Sequence, residues 1–134
     1  MGIWTQVNEP PEFFLDRGLG KRVAEGLRQA GWVLHLITEH YPDDAQHIPD
    51  EEWVAEARRR GWSGLTKDQR LWRLLKEEDQ IPIFTLSTGQ ISSLEMVARF
   101  EAARELIWNY ARKDDVGLWI VYEVGRPPHR RYPR

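Results

Sequence analysis

The chain has no cysteine among its 134 residues, which excludes disulfides and thiolate-held metal centres and fits a reducing compartment. It has no apolar run near the roughly 20 residues a membrane helix needs. Its start lacks a basic stretch leading into an apolar one, so a soluble, cytoplasmic protein with no membrane association is expected. Nor is there an excess of positive charge: 19 Lys and Arg stand against 21 Asp and Glu, a formal net charge of −2. Any polyanion must therefore be met by a local basic patch, not by a global field. No internal repeat is present, and the closing "GRPPHRRYPR" is the one biased segment. With 41% hydrophobic and 30% charged residues, the chain suits one compact domain with a real core.

Short β-rich apolar runs alternate with segments of helical period, the pattern of an α/β fold with a mainly parallel sheet. "FFLD" (13–16) reads as the first strand and "WVLHLI" (32–37) as the second, with "KRVAEGLRQA" between them as a helix burying Val23, Leu27 and Ala30. Pro42 and Pro49 bound a loop, "TEHYPDDAQHIP", through which no regular structure is expected. "DEEWVAEARRR" gives a helix with Trp53, Val54 and Ala57 inward and Arg58, Arg59 and Arg60 at its C-terminal end, where they suit the macrodipole. "WSGLT" (62–66) and "IPIFTL" (81–86) are the third and fourth strands, with loop and helix over "KDQRLWRLLKEE" between them. Ser92 and Glu95 stand at capping-box spacing ahead of one long helix with a stripe of Val97, Phe100, Ala103, Ile107 and Tyr110. "VGLWIVYEV" (116–124) is the last strand. The fold expected is a three-layer α/β/α domain over residues 1–125, with a sheet of about five strands, followed by a mobile basic tail at 126–134.

Carboxylates then fall at one rim. In open parallel sheets ligands bind beyond the carboxyl ends of the strands. Asp16 ends the first strand, Asp68 follows the third, and Asp50 with Glu51 and Glu52 opens the helix that feeds the third strand from that same side. Clustered carboxylates repel one another unless a cation neutralises them, and a hard divalent ion such as Mg²⁺ or Mn²⁺ is the simplest one. A carboxylate after Phe13-Phe14-Leu15 is costly without a partner, which singles out Asp16. Asp50 and Asp68 also have plain structural uses as helix caps, and Glu51 and Glu52 as first-turn acids. His40, Asp43, Asp44 and His47 lack strict ligand spacing and read as solvated loop residues. The seven Trp residues read mainly as core, with Trp4 and Trp72 open to an interface role.

In "FFLDRGLGKRVAEGLRQAGW", "DEEWVAEARRRGW" and "LTKDQRL" the chain resembles the PIN-like nuclease domains, including VapC-type toxins of bacterial toxin–antitoxin pairs. The resemblance covers residues 13–74. It implies that Asp16, Asp50 and Asp68 bind metal, with Glu51 or Glu52 as a fourth acid, and that Mg²⁺ or Mn²⁺ supports cleavage of RNA. Thr66 is placed to hydrogen-bond a carboxylate or metal-bound water, and Arg17, Lys21, Lys67 and Arg70 to bind substrate phosphates. Larger members carry a further Glu on an extra helix; here Glu39, Asp43 and Asp44 occupy that region, so either one of them substitutes or the site is reduced. The resemblance further implies a cognate antitoxin protein that meets an acidic mouth at Asp43, Asp44, Asp50, Glu51 and Glu52, and it is compatible with a homodimer. A response-receiver domain is a poorer match, because Asp16 is followed by Arg17 and Gly18 where such domains pair two acids. A catalytically silent PIN-like scaffold that binds RNA or protein is the stronger alternative.

Overall fold

In a computed structural model that describes residues 9–43, 46–76 and 80–132, the chain forms one six-stranded sheet with the order β2-β1-β3-β4-β5-β6. The strands are β1 (Glu12–Leu15), β2 (Val33–Leu36), β3 (Ser63–Thr66), β4 (Pro82–Leu86), β5 (Gly117–Val121) and β6 (His129–Tyr132). All neighbours pair in parallel except β5 and β6, which are antiparallel. Among the described residues, five α-helices lie between them: α1 (Gly20–Gln29), α2 (Ile37–His40), α3 (Asp50–Arg60), α4 (Ser93–Ala102) and α5 (Arg104–Arg112).

The alternation of side chains along each strand builds two cores, one on each face of the sheet. Phe13 and Leu15 point with Val23, Leu27, Phe84, Phe100 and Ile107 into the core beneath α1, α4 and α5. Phe14 points the other way, onto Trp53, Val54, Ala57 and Leu71 under α3 and the 3-10 helix Gln69–Lys76. This is the three-layer α/β/α arrangement read from the sequence, and the apolar stripe from Phe100 to Ile107 faces the sheet as expected.

Three local features differ from the sequence reading. The closing segment is a strand over 129–132: it forms β6 and gives the sheet a sixth strand, with the Arg130 guanidinium 4.8 Å over the Trp119 ring and paired with Asp115. The long helix is two helices. At Ala103 the backbone leaves helical geometry and its N–H is shared between the Arg99 and Phe100 carbonyls, a tightened turn that still lets both halves reach one core. One helical turn, α2, forms ahead of Pro42, where the expected loop begins, and stops at Tyr41, which the following Pro42 holds extended. The segment after β3 is helical as expected but of the 3-10 type. Trp4, Asp44 and Arg134, and the side chains of Trp72 and Lys76, lie outside the described residues.

The connections put β1 inside the sheet, next to the edge strand β2, its sequential neighbour, with β3 on its other side. The strand order reverses between β1 and β3, and such a reversal opens a crevice at the carboxyl ends of the two strands. Leu15 pairs with Leu65 there, and the next residue, Asp16, donates its backbone N–H to the Leu65 carbonyl at 2.9 Å. Asp16 therefore leaves the sheet at the point where the crevice begins.

Candidate active site

At that crevice lies an open cavity of about 670 Å³ lined by Asp16, Asp50 and Asp68, by the cationic residues Arg17, Lys67 and Arg70, and by Gly18, Ile37, Gln46, Ile48 and Trp53. Each carboxylate arrives on a different element. Asp16 follows β1, Asp50 is the first residue of α3, and Asp68 follows β3 by two positions.

Asp16 is half-buried where β1 ends. Burial pushes its carboxyl pKa up, Asp50 and Asp68 push it further in the same direction, and hydrogen bonds from Thr66 and from the Gly18 backbone oppose the rise. The Thr66 hydroxyl, itself fully buried, donates to Asp16 Oδ2 at 2.6 Å and accepts the Asp68 backbone N–H at 3.0 Å. Thr66 thereby ties the first acidic segment to the third. Its placement beside a carboxylate agrees with the sequence reading.

Asp50 is oriented by packing. Trp53, one helical turn along α3 and almost wholly buried in the second core, donates its indole N–H to Asp50 Oδ1 at 2.9 Å. The helix N-cap is Pro49 and offers no side-chain cap, so Asp50, Glu51 and Glu52 act on the helix dipole as first-turn acids. Asp68 has the cap role foreseen for it: its Oδ1 accepts the Arg70 backbone N–H at 2.9 Å at the start of the 3-10 helix. The Arg70 guanidinium also bonds both of its oxygens, at 3.0 and 3.2 Å, and this pair holds the Asp68 carboxyl below the usual range.

Not every candidate reaches the cavity. Glu51 and Glu52 do not line it; Glu52 faces a separate groove with His40, Tyr41, Glu56 and Arg59. Lys21 lines a smaller adjoining pocket that shares Asp16 and Arg17 with the main one. Glu39 pairs with Arg28 at 3.8 Å, and Asp43 is exposed in a left-handed backbone conformation, so neither supplies a fourth acid to the cavity. His40 is engaged by Glu56 at 3.0 Å.

Sequence reasoning missed Gln46 and Ile48 as lining residues and assigned Trp53 only to the core. The i, i+3 spacing of Asp50 and Trp53 was the available signal for their contact. It also missed the Asp68–Arg70 pair, whose i, i+2 spacing is that of a side chain bonding the backbone two residues on.

A hard divalent ion suits the donor set, because three carboxylates line one cavity, and on Asp16 burial first, then the nearby Asp50 and Asp68, disfavour the bare charge. Among the described residues, no three His, Cys, Asp or Glu side chains stand close enough to cage an ion by themselves. An ion of the Mg²⁺ type does not need such a cage, because it commonly takes one or two carboxylates and completes its shell with water and substrate oxygens. Among the described residues, no helix is long and apolar enough to cross a membrane.

Residues 11–82, which contain all three acids, match a family model described as a PIN like domain. A relative from Mycobacterium tuberculosis (strain H37Rv), bearing the name "Putative ribonuclease VapC45", is 32% identical over 116 residues, covering 81% of this chain and 84% of that one. No solved structure matches the chain.

Proposed function

The chain belongs to the PIN-like domain family, and we propose that it is a metal-dependent ribonuclease, hydrolysing phosphodiester bonds as the toxin of a toxin–antitoxin pair. The observation that carries this reading is the convergence of Asp16, Asp50 and Asp68 on one open cavity that Arg17, Lys67 and Arg70 also line. The name of the relative, "Putative ribonuclease VapC45", supports it.

Asp16 and Asp50, with Asp68, would hold Mg²⁺ or Mn²⁺. When bound, such an ion lowers the pKa of water and offsets charge that develops on the phosphodiester during hydrolysis, with no covalent enzyme intermediate required. The remaining work falls to the chain itself. Thr66 and Trp53 fix the orientation of Asp16 and Asp50 through their hydrogen bonds. Arg17 and Lys67, both exposed at the rim, attract the phosphate backbone, and Lys21 extends that positive edge into the adjoining pocket. Glu51 and Glu52 contribute negative potential from the start of α3. A cognate antitoxin would silence the site by inserting an Arg that pairs with its carboxylates in the metal's place.

A silent scaffold that binds RNA or a protein partner is the second reading, favoured by the engagement of Asp68 with Arg70. Purified protein incubated with RNA separates the two: cleavage in Mg²⁺ or Mn²⁺ that EDTA abolishes supports the nuclease, and binding without turnover supports the scaffold. Growth arrest on expression, relieved by co-expression of the neighbouring open reading frame, tests the toxin role.

A further inference from the structure

We propose that Arg70 is an internal latch on Asp68, released by a substrate phosphate, so that RNA and metal bind cooperatively. The inference rests on the metal-dependent nuclease reading and concerns how that site is completed.

Arg70 takes up both oxygens of Asp68: Nε donates to Oδ1 at 3.0 Å and an Nη donates to Oδ2 at 3.2 Å, while the Arg70 backbone N–H holds Oδ1 at 2.9 Å. With these bonds Asp68 has three of its about four lone-pair sites engaged and its charge offset, which weakens it as a metal ligand. Among the described residues, Asp16 and Asp50 have no such cation; their side-chain partners are the neutral hydroxyl of Thr66 and the neutral indole of Trp53. Among the described residues, Asp68 is the one of these three acids with an ion-pair partner.

The grip is easily released. The Arg70 side chain is 78% exposed, and among the described residues Asp68 is its only side-chain partner. Arg70 also lines the cavity into which an RNA phosphate would enter. Phosphate presents two oxygens to the same fork with the same geometry as a carboxylate, so the entering strand competes directly for Arg70. Once the guanidinium has turned to the phosphate, the backbone N–H of Arg70 and the short turn through Thr66 still hold Asp68 in place, now with lone pairs free for the ion. Linkage makes the effect reciprocal: RNA strengthens metal binding by the factor by which metal strengthens RNA binding.

The test is calorimetric titration of Mn²⁺ into the RNA-free protein, with and without a short 2′-O-methyl phosphorothioate oligonucleotide that resists hydrolysis. Wild type is expected to bind Mn²⁺ several-fold more tightly when the oligonucleotide is present. Arg70→Gln, an exposed change that leaves the core untouched, is expected to bind Mn²⁺ several-fold more tightly than wild type without oligonucleotide and to gain less from adding it. Lys67→Gln removes one positive charge from the same rim without freeing Asp68, and should gain less than Arg70→Gln. In an Asp68→Asn background the Arg70→Gln gain should vanish. Measurable Mn²⁺ binding with equal affinity in wild type and Arg70→Gln, or a gain that survives in Asp68→Asn, overturns the latch and leaves the nuclease reading standing. Absence of Mn²⁺ binding in every variant, with and without oligonucleotide, overturns both.

Discussion

Thr66 donates its hydroxyl proton to Asp16 at 2.6 Å across the boundary between β3 and the end of β1, and the same oxygen accepts the Asp68 backbone N–H. One buried hydroxyl thus fixes two of the three acidic segments. Thr66→Val keeps the shape but removes both bonds, and leaves the Asp16 carboxylate and the Asp68 N–H short of a partner. Loss of a hydrogen bond to a charged group costs about 1.5–3 kcal/mol, and a denaturant midpoint should record a destabilisation of that order. Thr66→Ser retains the hydroxyl and should recover most of it. Equal stability of the Val and Ser variants would remove Thr66 from the account.

Asp16→Asn should stabilise the metal-free protein at neutral pH. Burial holds the folded-state pKa of Asp16 above its unfolded value, so the folded state keeps this proton more tightly than the unfolded state. The resulting penalty is absent below the unfolded pKa, grows as pH rises through the interval between the two values, and is complete above the folded one. Melting curves should therefore show the variant ahead of wild type at pH 7 and level with it in acid. A variant less stable than wild type at pH 7 in EDTA contradicts this.

Glu56 has the opposite sign. Hydrogen bonds from Arg59, Arg60 and His40 lower its pKa from 4.5 to about 2, so its contribution to stability is present above pH 4.5 and is lost as pH falls towards 2. Glu56→Gln should melt below wild type at pH 7, and the gap should close on acidification through that window. A gap independent of pH would assign the effect to packing.

Gly26 sits where α1 crosses α4, and a Cβ there would stand 2.8 Å from Val97 Cγ2. Alanine gains about 1 kcal/mol of helix propensity, but overpacking against a stiff β-branched side chain costs about 1–3 kcal/mol. Gly26→Ala is therefore expected to be a net loss of about 1 kcal/mol by urea denaturation. A more stable variant would show that the two helices separate freely.

The fold was readable where periodicity is strong. The helix read at "DEEWVAEARRR" is α3 residue for residue, and Ser92 caps α4 through the Glu95 N–H as its spacing implied. The sequence also put Asp16, Asp50 and Asp68 at one rim, because the direction of each element follows from strict alternation of strand and helix. What it concealed depends on contacts distant in the chain or on competition between partners. In β6 Arg130 finds Trp119 and Asp115, a meeting that the composition of a Pro- and Arg-rich tail does not reveal. The break at Ala103 leaves the apolar stripe intact and so leaves no trace in the pattern. Arg70 was read as a phosphate ligand, and its bond to Asp68 emerges only when the turn after β3 is in view.

If the three acids act together on an RNA phosphodiester through a divalent ion, removing the charge of one must stop the reaction. Cleavage of RNA in Mn²⁺ is followed for wild type, Asp16→Asn and Asp68→Asn, with folding of each checked by circular dichroism. Wild type is expected to cleave and to lose activity in EDTA, and both variants to fall to background with the fold retained. Folded Asp16→Asn and Asp68→Asn proteins that cleave RNA as fast as wild type would contradict it.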